Sequence, residues 1–536
     1  MAAGAANVIE LPPCDGDATA LIQAAIDSIA TLNGAPAALR LSPGQYHISR
    51  EHASPHLYYV SNTASEKENP DQTKHIGLWL RGLSNVTIDG NGACFVTHGE
   101  MTPIVLDSCS NITLKNFSLT AADPSVPEFT VLATDSTTVT VRITAPSTFS
   151  IDDAGTFRFT GEGWQLPDST NARPVIAQVF YPATNVTRRH PSPLRGLRHA
   201  RALGGDTVLF AYDRAPDVHP GEVYQLRHGV RNEVCAFINR SKDITLDNVE
   251  LNFLGNFGLV GQYSENLTYH NLRCRPRPGS GRTDAGFADF VQMSGCRGKI
   301  TITDSYFEGA HDDPINIHGT HLQAVASDSP ASLTVQFMHP QTFGFTPFYP
   351  GDSIEIIDRH TLTCLMPAAV RDVAQIDDYK FALTLDRPLP ALPDGYTVAD
   401  LAVENVTWTP EVEIARNYFA RTPTRGILLT TRRKSVIEDN VFYRTPMSAI
   451  LVSDDARGWY ESGPVHDLTI RRNLFVECGS PVISIKPEID RFAGPVHKNI
   501  IIEDNCFIMD GTTTPIQLDA ADNVTISGNL IYPADN

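Results

Sequence analysis

The chain has 536 residues, 42% apolar and 19% charged, enough for a large core and more than one domain. Its net charge of −19 and pI of 5.3 argue against a nucleic-acid or anionic-membrane partner, since either needs a basic footprint. No apolar run reaches the roughly 18 residues of a membrane-spanning helix, and the nine scattered cysteines show no CxxC or Cys/His metal spacing.

The opening "MAAGAANVIE" has neither a basic nor a long apolar region. It reads as a mature start or as a chain whose signal peptide has been removed, and a secreted or periplasmic protein is the expectation. The stretch "CDGDATALIQAAIDSIATLNG" predicts a helix. Asp17 would be its N-cap, Leu21, Ile22, Ala25, Ile26 and Ile29 its apolar face, and Gly34 its stop. "LRLSPGQYHIS" then enters a strand.

From residue 84 a weak repeat sets in: "SNVTIDGNGACF", "SNITLKNFSL", "KDITLDNVEL", "ENLTYHNLRC", "GKITITDSYFEG", and later "EVEIARNYFA", "KSVIEDNVFY", "HDLTIRRNLFV", "KNIIIEDNCFI" and "DNVTISGNLIY". Apolar residues alternate at period two, as in strands. An Asn then marks a turn, because it tolerates left-handed backbone. Asn248 to Asn271 and Asn417 to Asn440 are both 23 residues, and Asn505 to Asn529 is 24. Short strands at this period, with no helices between them, predict a right-handed parallel β-helix capped by the N-terminal helix. The recurring Asn predicts an amide ladder between coils.

Two blocks interrupt the period. Residues 120–232 ("STTVTVRI", "GTFRFTGEG", "DTVLFAYD") and 320–409 ("ASLTVQFM", "GDSIEIID", "YKFALTLD") alternate like antiparallel strands. Each is read as a small β-barrel or sandwich inserted between coils and walling the binding face. The chain then divides into a cap with the first coils (1–119), an insert (120–232), coils carrying the site (233–319), a second insert (320–409) and the last coils (410–536).

The chemistry centres on "FEGAHDDPINIHG" at 307–319. Aligning coils on an apolar pair puts Ile315 and Ile317 over Val291 and Met293, with Leu259 before them. Ile427 and Leu429, Ile450 and Val452, and Ile483 and Ile485 follow. Asp313 then lies over Asp289, with Arg425 at the same place across the second insert. Adjacent coils rise about 4.8 Å, so Asp289, Asp312 and Asp313 cannot ionise independently. Such asymmetry suits a general acid and a general base. The residues alone leave open a Ca²⁺ site, which needs many oxygens, or a solvated turn. Flanking candidates for sugar contact are His311, Asn316 and His318, then Asn256, Arg425, Arg432, Lys486 and Glu488. Trp164, in "GEGWQ", could stack on a sugar face.

The helix "DGDATALIQAAID", the coils and one Asp a coil before an Asp-Asp pair resemble the pectin-lyase-like β-helix glycoside hydrolases. The polygalacturonases of family 28 share that spacing, but here no Gly-His-Gly follows the pair and "SIK" stands at 484–486. "FADFVQMSGCRG", "FEGAHDDPINIHG" and "RTPTRGILLTTRRK" more closely resemble glycoside hydrolase family 110, the bacterial exo-acting α-1,3-galactosidases. The resemblance spans essentially the whole chain. It implies removal of terminal α-1,3-linked galactose from blood-group B or linear α-Gal glycans, with inversion and with neither metal nor cofactor. Asp313 would be the acid, with Asp312 and Asp289 on the base side, although the reverse assignment stays open. A homo-oligomer is also left open. The rival readings are a polysaccharide lyase acting on galacturonan-like chains and a non-catalytic glycan-binding β-helix.

Overall fold

A computed structural model describes residues 7–167 and 175–534. Its spine is a parallel β-helix built from a twenty-stranded and a twelve-stranded sheet. One coil runs through Val234–Asn239 and Lys242–Leu251, then the next begins at Phe257–Gln262. The apolar pairs stack in the register that the repeat predicts. Leu259 pairs with Val291, Val291 with Ile315, Ile315 with Ile427, Ile427 with Ile450, and Ile450 with Ile483. Every side chain in that column is buried, because the interior of a coil offers no other place for an inward-facing residue.

Two ladders reinforce the stack. Asn417, Asn440, Asn473, Asn505 and Asn529 hand one amide bond from coil to coil at 2.9–3.0 Å, and each of the first four also donates its backbone N–H to the next Asn side chain. Buried turn groups are thus satisfied without water. Beside it Phe307, Phe419, Phe442, Phe475 and Phe507 stack at centroid distances of 4.7–5.2 Å. The earlier Asn116, Asn248 and Asn271 form a second, exposed ladder.

The helix Thr19–Ala30 covers the first coils with Ile22, Ala25, Ile26 and Ile29. Two details differ from the sequence expectation. Ala18 occupies the N-cap, while the Asp17 carboxylate accepts the Thr19 N–H at 2.9 Å. Leu21 is 40% exposed, since it lies just outside the stripe that faces the coils.

Both inserts leave the spine without breaking it. Strand Val234–Asn239 pairs with Thr102–Asp107 across the first insert, and Ile315–Thr320 pairs with Ile427–Leu429 across the second. The first insert has a seven-stranded antiparallel sheet and a three-stranded sheet over one core of Phe129, Phe157, Phe159, Trp164, Phe210 and Tyr224. The second contains a closed six-stranded barrel running from Leu322–Ala326 to Leu401–Asn405. None of the nine cysteines is in a disulfide, and five are buried. Among the described residues no helix is long and apolar enough to cross a membrane.

Candidate active site

Asp289 and Asp313 precede the paired residues Val291 and Ile315 by two positions each, so they stand one coil apart in one column. Arg425 holds the same place before Ile427. The seating is tight. A Cβ on Gly258, one coil earlier, would meet the Asp289 carbonyl at 2.3 Å, and the Gly258 N–H donates to that carbonyl.

The two adjacent aspartates have different partners. Asp313 turns along the spine, where its Oδ1 accepts the Arg425 N–H at 3.0 Å and its Oδ2 pairs with the Arg425 guanidinium at 3.1 Å. Asp312 turns to the first insert, with Arg189 at 3.2 Å and Arg227 at 3.9 Å from its Oδ2. Asp289 is 6% exposed, and among the described residues no cation lies within ion-pairing distance of it. Burial, then Asp312 and Asp313, push its pKa well above the usual carboxylate value, against the pull of Arg231. Asp313 is also raised by burial, although Arg425 opposes the shift. The site therefore holds a proton most readily at Asp289, the carboxyl with the least cationic support.

These groups line a cleft of 360 Å³ with Asn62, Arg231, Asn316, Glu461 and an apolar wall of Leu428 and Leu451. Glu461 Oε1 accepts from the amides of Asn62 at 3.0 Å and Asn316 at 3.3 Å. The rim is the loop from Asp455 to Trp459. The Asp455 carboxylate accepts the backbone N–H groups of Arg457, Gly458, Trp459 and Tyr460, which fixes the loop's path. Trp459 is 48% exposed and stacks at 4.2 Å on His339 of the second insert.

The flanking candidates divide. Asn316, Arg425 and Glu488 line the cleft, Glu488 from the rim in an ion pair with Arg457. The others depart from the sequence expectation. His311 is fully buried outside the lining. Burial first, and then Arg227, Arg189 and Arg282, keep it neutral. His318 faces outward from its strand, but is covered and bound by Gln292 and by the Gly319 carbonyl. Arg432 is committed to Glu355 and Glu404 of the second insert. Lys486 is exposed beyond the lining. Asn256 and Trp164 line a separate small crevice, the Trp also closing the core of the first insert. Trp459 takes the exposed aromatic place at the cleft that the sequence reading gave to Trp164.

Sequence reasoning missed Arg231, Asn62, Glu461 and Trp459. All four sit in loops or short segments outside the repeat, where no register points to them. One usable signal was the "DDARG" turn, since an Asp followed by Gly predicts a side-chain-bonded loop.

The profile described as "GLAA-B beta-barrel domain II" matches residues 332–394, within the second insert. The chain is 46% identical to α-1,3-galactosidase A of Bacteroides thetaiotaomicron over 99% of its own length and 92% of that protein. It is 39% identical to α-1,3-galactosidase A of Bacteroides fragilis, strain YCH46, over 91% of this chain and 80% of that protein. Among solved structures, an exopolygalacturonase from Thermotoga maritima aligns over 98% of this chain and 87% of its own, with TM-score 0.40 and 10% identity. With identity of this level over nearly its full length, the chain belongs to the α-1,3-galactosidase family.

Proposed function

We propose that the cleft hydrolyses terminal α-1,3-galactosidic bonds, of the blood-group B or linear kind, with inversion at the anomeric carbon. The carrying observation is the separation of roles among three clustered carboxyls. Asp289 retains a proton in a buried site and is the general acid. Asp312, paired with Arg189 and partly exposed, is the base that activates water. Asp313, fixed by Arg425, positions the pair beneath the developing oxocarbenium ion. This reading moves the acid from Asp313, where sequence placed it, to Asp289. An inverting enzyme needs its two carboxyls about 6.5–9.5 Å apart to admit a water. The divergence of Asp312 toward the first insert favours such a gap. A cleft of 360 Å³ is at the small end for ligand sites, which suits a chain end better than a chain interior.

The test is NMR-monitored hydrolysis of an α-1,3-galactosyl disaccharide. Early release of β-galactose is expected, with losses of about 10²–10⁴-fold for Asp289→Asn and Asp312→Asn. Early α-galactose would refute inversion. An unsaturated product would replace hydrolysis with lyase chemistry, and binding without turnover would leave a non-catalytic glycan binder.

A further inference from the structure

Two charged side chains face the reacting carboxyls with much of their bonding capacity unspent. Arg231 is one. Its guanidinium lies over the Phe257 ring at 4.6 Å, and one Nη donates to Gln341 at 2.8 Å. Gln341 is itself tied to Glu68, and the Arg231 carbonyl accepts the Ala64 N–H. The group is thus held rigidly by the second insert and by the loop around residue 64. Its surrounding charges are Asp289, Asp312 and Glu461, yet among the described residues no carboxylate reaches it within ion-pairing distance. A guanidinium carries five N–H donors; among the described residues only one bond, to Gln341, uses them, and the side chain lines the cleft.

Glu461 is the other. Its backbone is fixed by pairing with Thr320, and its Oε1 by Asn62 and Asn316. That Oε1 also lies 3.5 Å from the His318 Nε2, whereas the Oε2 has no hydrogen bond among the described residues, and the side chain lines the cleft. Beside it the Asn316 Oδ1 is buried without a partner. A rigid donor and a rigid acceptor, close enough to feel each other but not paired, leave room for a group that both gives and takes a hydrogen bond. A sugar hydroxyl is such a group.

We infer that Arg231 and Glu461 form the specificity pair of the cleft. They read neighbouring hydroxyls of the terminal sugar, the guanidinium as donor and the carboxylate as acceptor. Leaving a hydroxyl off the substrate would strand a desolvated charge, and sites built this way discriminate strongly against the deoxygenated analogue. The inference rests on the galactosidase reading and adds the basis of sugar recognition.

The experiment measures kcat/KM of wild type, Arg231→Met, Arg231→Lys and Glu461→Gln. The substrates are the α-1,3-galactosyl disaccharide and its 2-, 4- and 6-deoxy analogues in the terminal ring. Wild type should lose at least about 10²-fold on one or two analogues. Each Met or Gln variant should lose about as much on the parent, yet lose less than threefold further on the analogue that lacks its own hydroxyl. Arg231→Lys keeps the charge without the planar fork and should fall between. Equal losses for a variant on all substrates would overturn the inference, as would wild-type indifference to every deoxygenation. A wild type inert on the parent disaccharide would instead overturn the functional reading itself. Should Arg231→Met fail to fold, Arg231→Lys and Glu461→Gln carry the same comparison.

Discussion

Asp312 and Asp313 share a peptide bond and would repel if they faced one way. One is held by arginines of the first insert and the other by Arg425 of the next coil, so a like-charge pair becomes two differently supported groups. Asp289, without such support, takes the energetic cost of the cluster. Its folded pKa is raised above the unfolded 3.8, so the folded state keeps a proton that the unfolded chain has released. Stability contributed by that proton is complete below about pH 4 and falls as pH rises through the raised value. Asp289→Asn should therefore raise the melting temperature at pH 7 by a degree or two, roughly what 1 kcal/mol moves in a large chain, while slowing turnover by about 10²–10⁴-fold. A lower melting temperature at pH 7 would show that Asp289 is stabilised as an anion. Activity should decline on the alkaline side as Asp289 loses its proton, and a pH profile of kcat/KM checks this.

At the scale of elements, the coils depend on ladders that repeat one residue type. Asn473 accepts two bonds from Asn440 and donates to Asn505 and to the Ile437 carbonyl, all buried. Asn473→Ala removes every one of these, and each buried group left unsatisfied costs about 1–3 kcal/mol. Denaturant unfolding should show a loss at the upper end of that range or beyond. The exposed Asn248 donates to Asn116 and accepts from Asn271 where water can replace both bonds. Asn248→Ala should cost well under half as much. A comparable loss at both positions would mean that burial does not set the worth of the ladder.

At the scale of the whole molecule, the inserts complete the site. The first brings Arg189 and Arg227 to Asp312, and the second brings Gln341 to Arg231 and His339 to Trp459. Arg432 clamps the second insert to the spine through Glu355 and the fully buried Glu404. Arg432→Met leaves Glu404 as a buried charge without its cation, which should cost about 3–5 kcal/mol. Because the insert supports Arg231 and Trp459, KM should rise as well, although Arg432 never reaches the cleft. Steady-state kinetics beside a thermal melt test this. A stability loss with unchanged KM would separate the insert from substrate binding.

The repeat alone was enough to place the β-helix, the register of the inner column and the juxtaposition of Asp289, Asp313 and Arg425, and the helical spacing of residues 17–34 placed its cap. Those features follow from local periodicity, because an inward residue every second position and a turn Asn every coil leave only one way to stack. The rest of the site was not legible. His311 and His318 looked available on alternation alone, and only packing shows that neighbouring elements cover them. Asn62 and Glu461 meet across 399 residues, and Arg231 meets Gln341 across 110. No period links such pairs. They are joined by where the inserts and loops fold back over the spine, and that is decided by the tertiary structure, since burial and long-range charge pairing exist only once the coils are stacked.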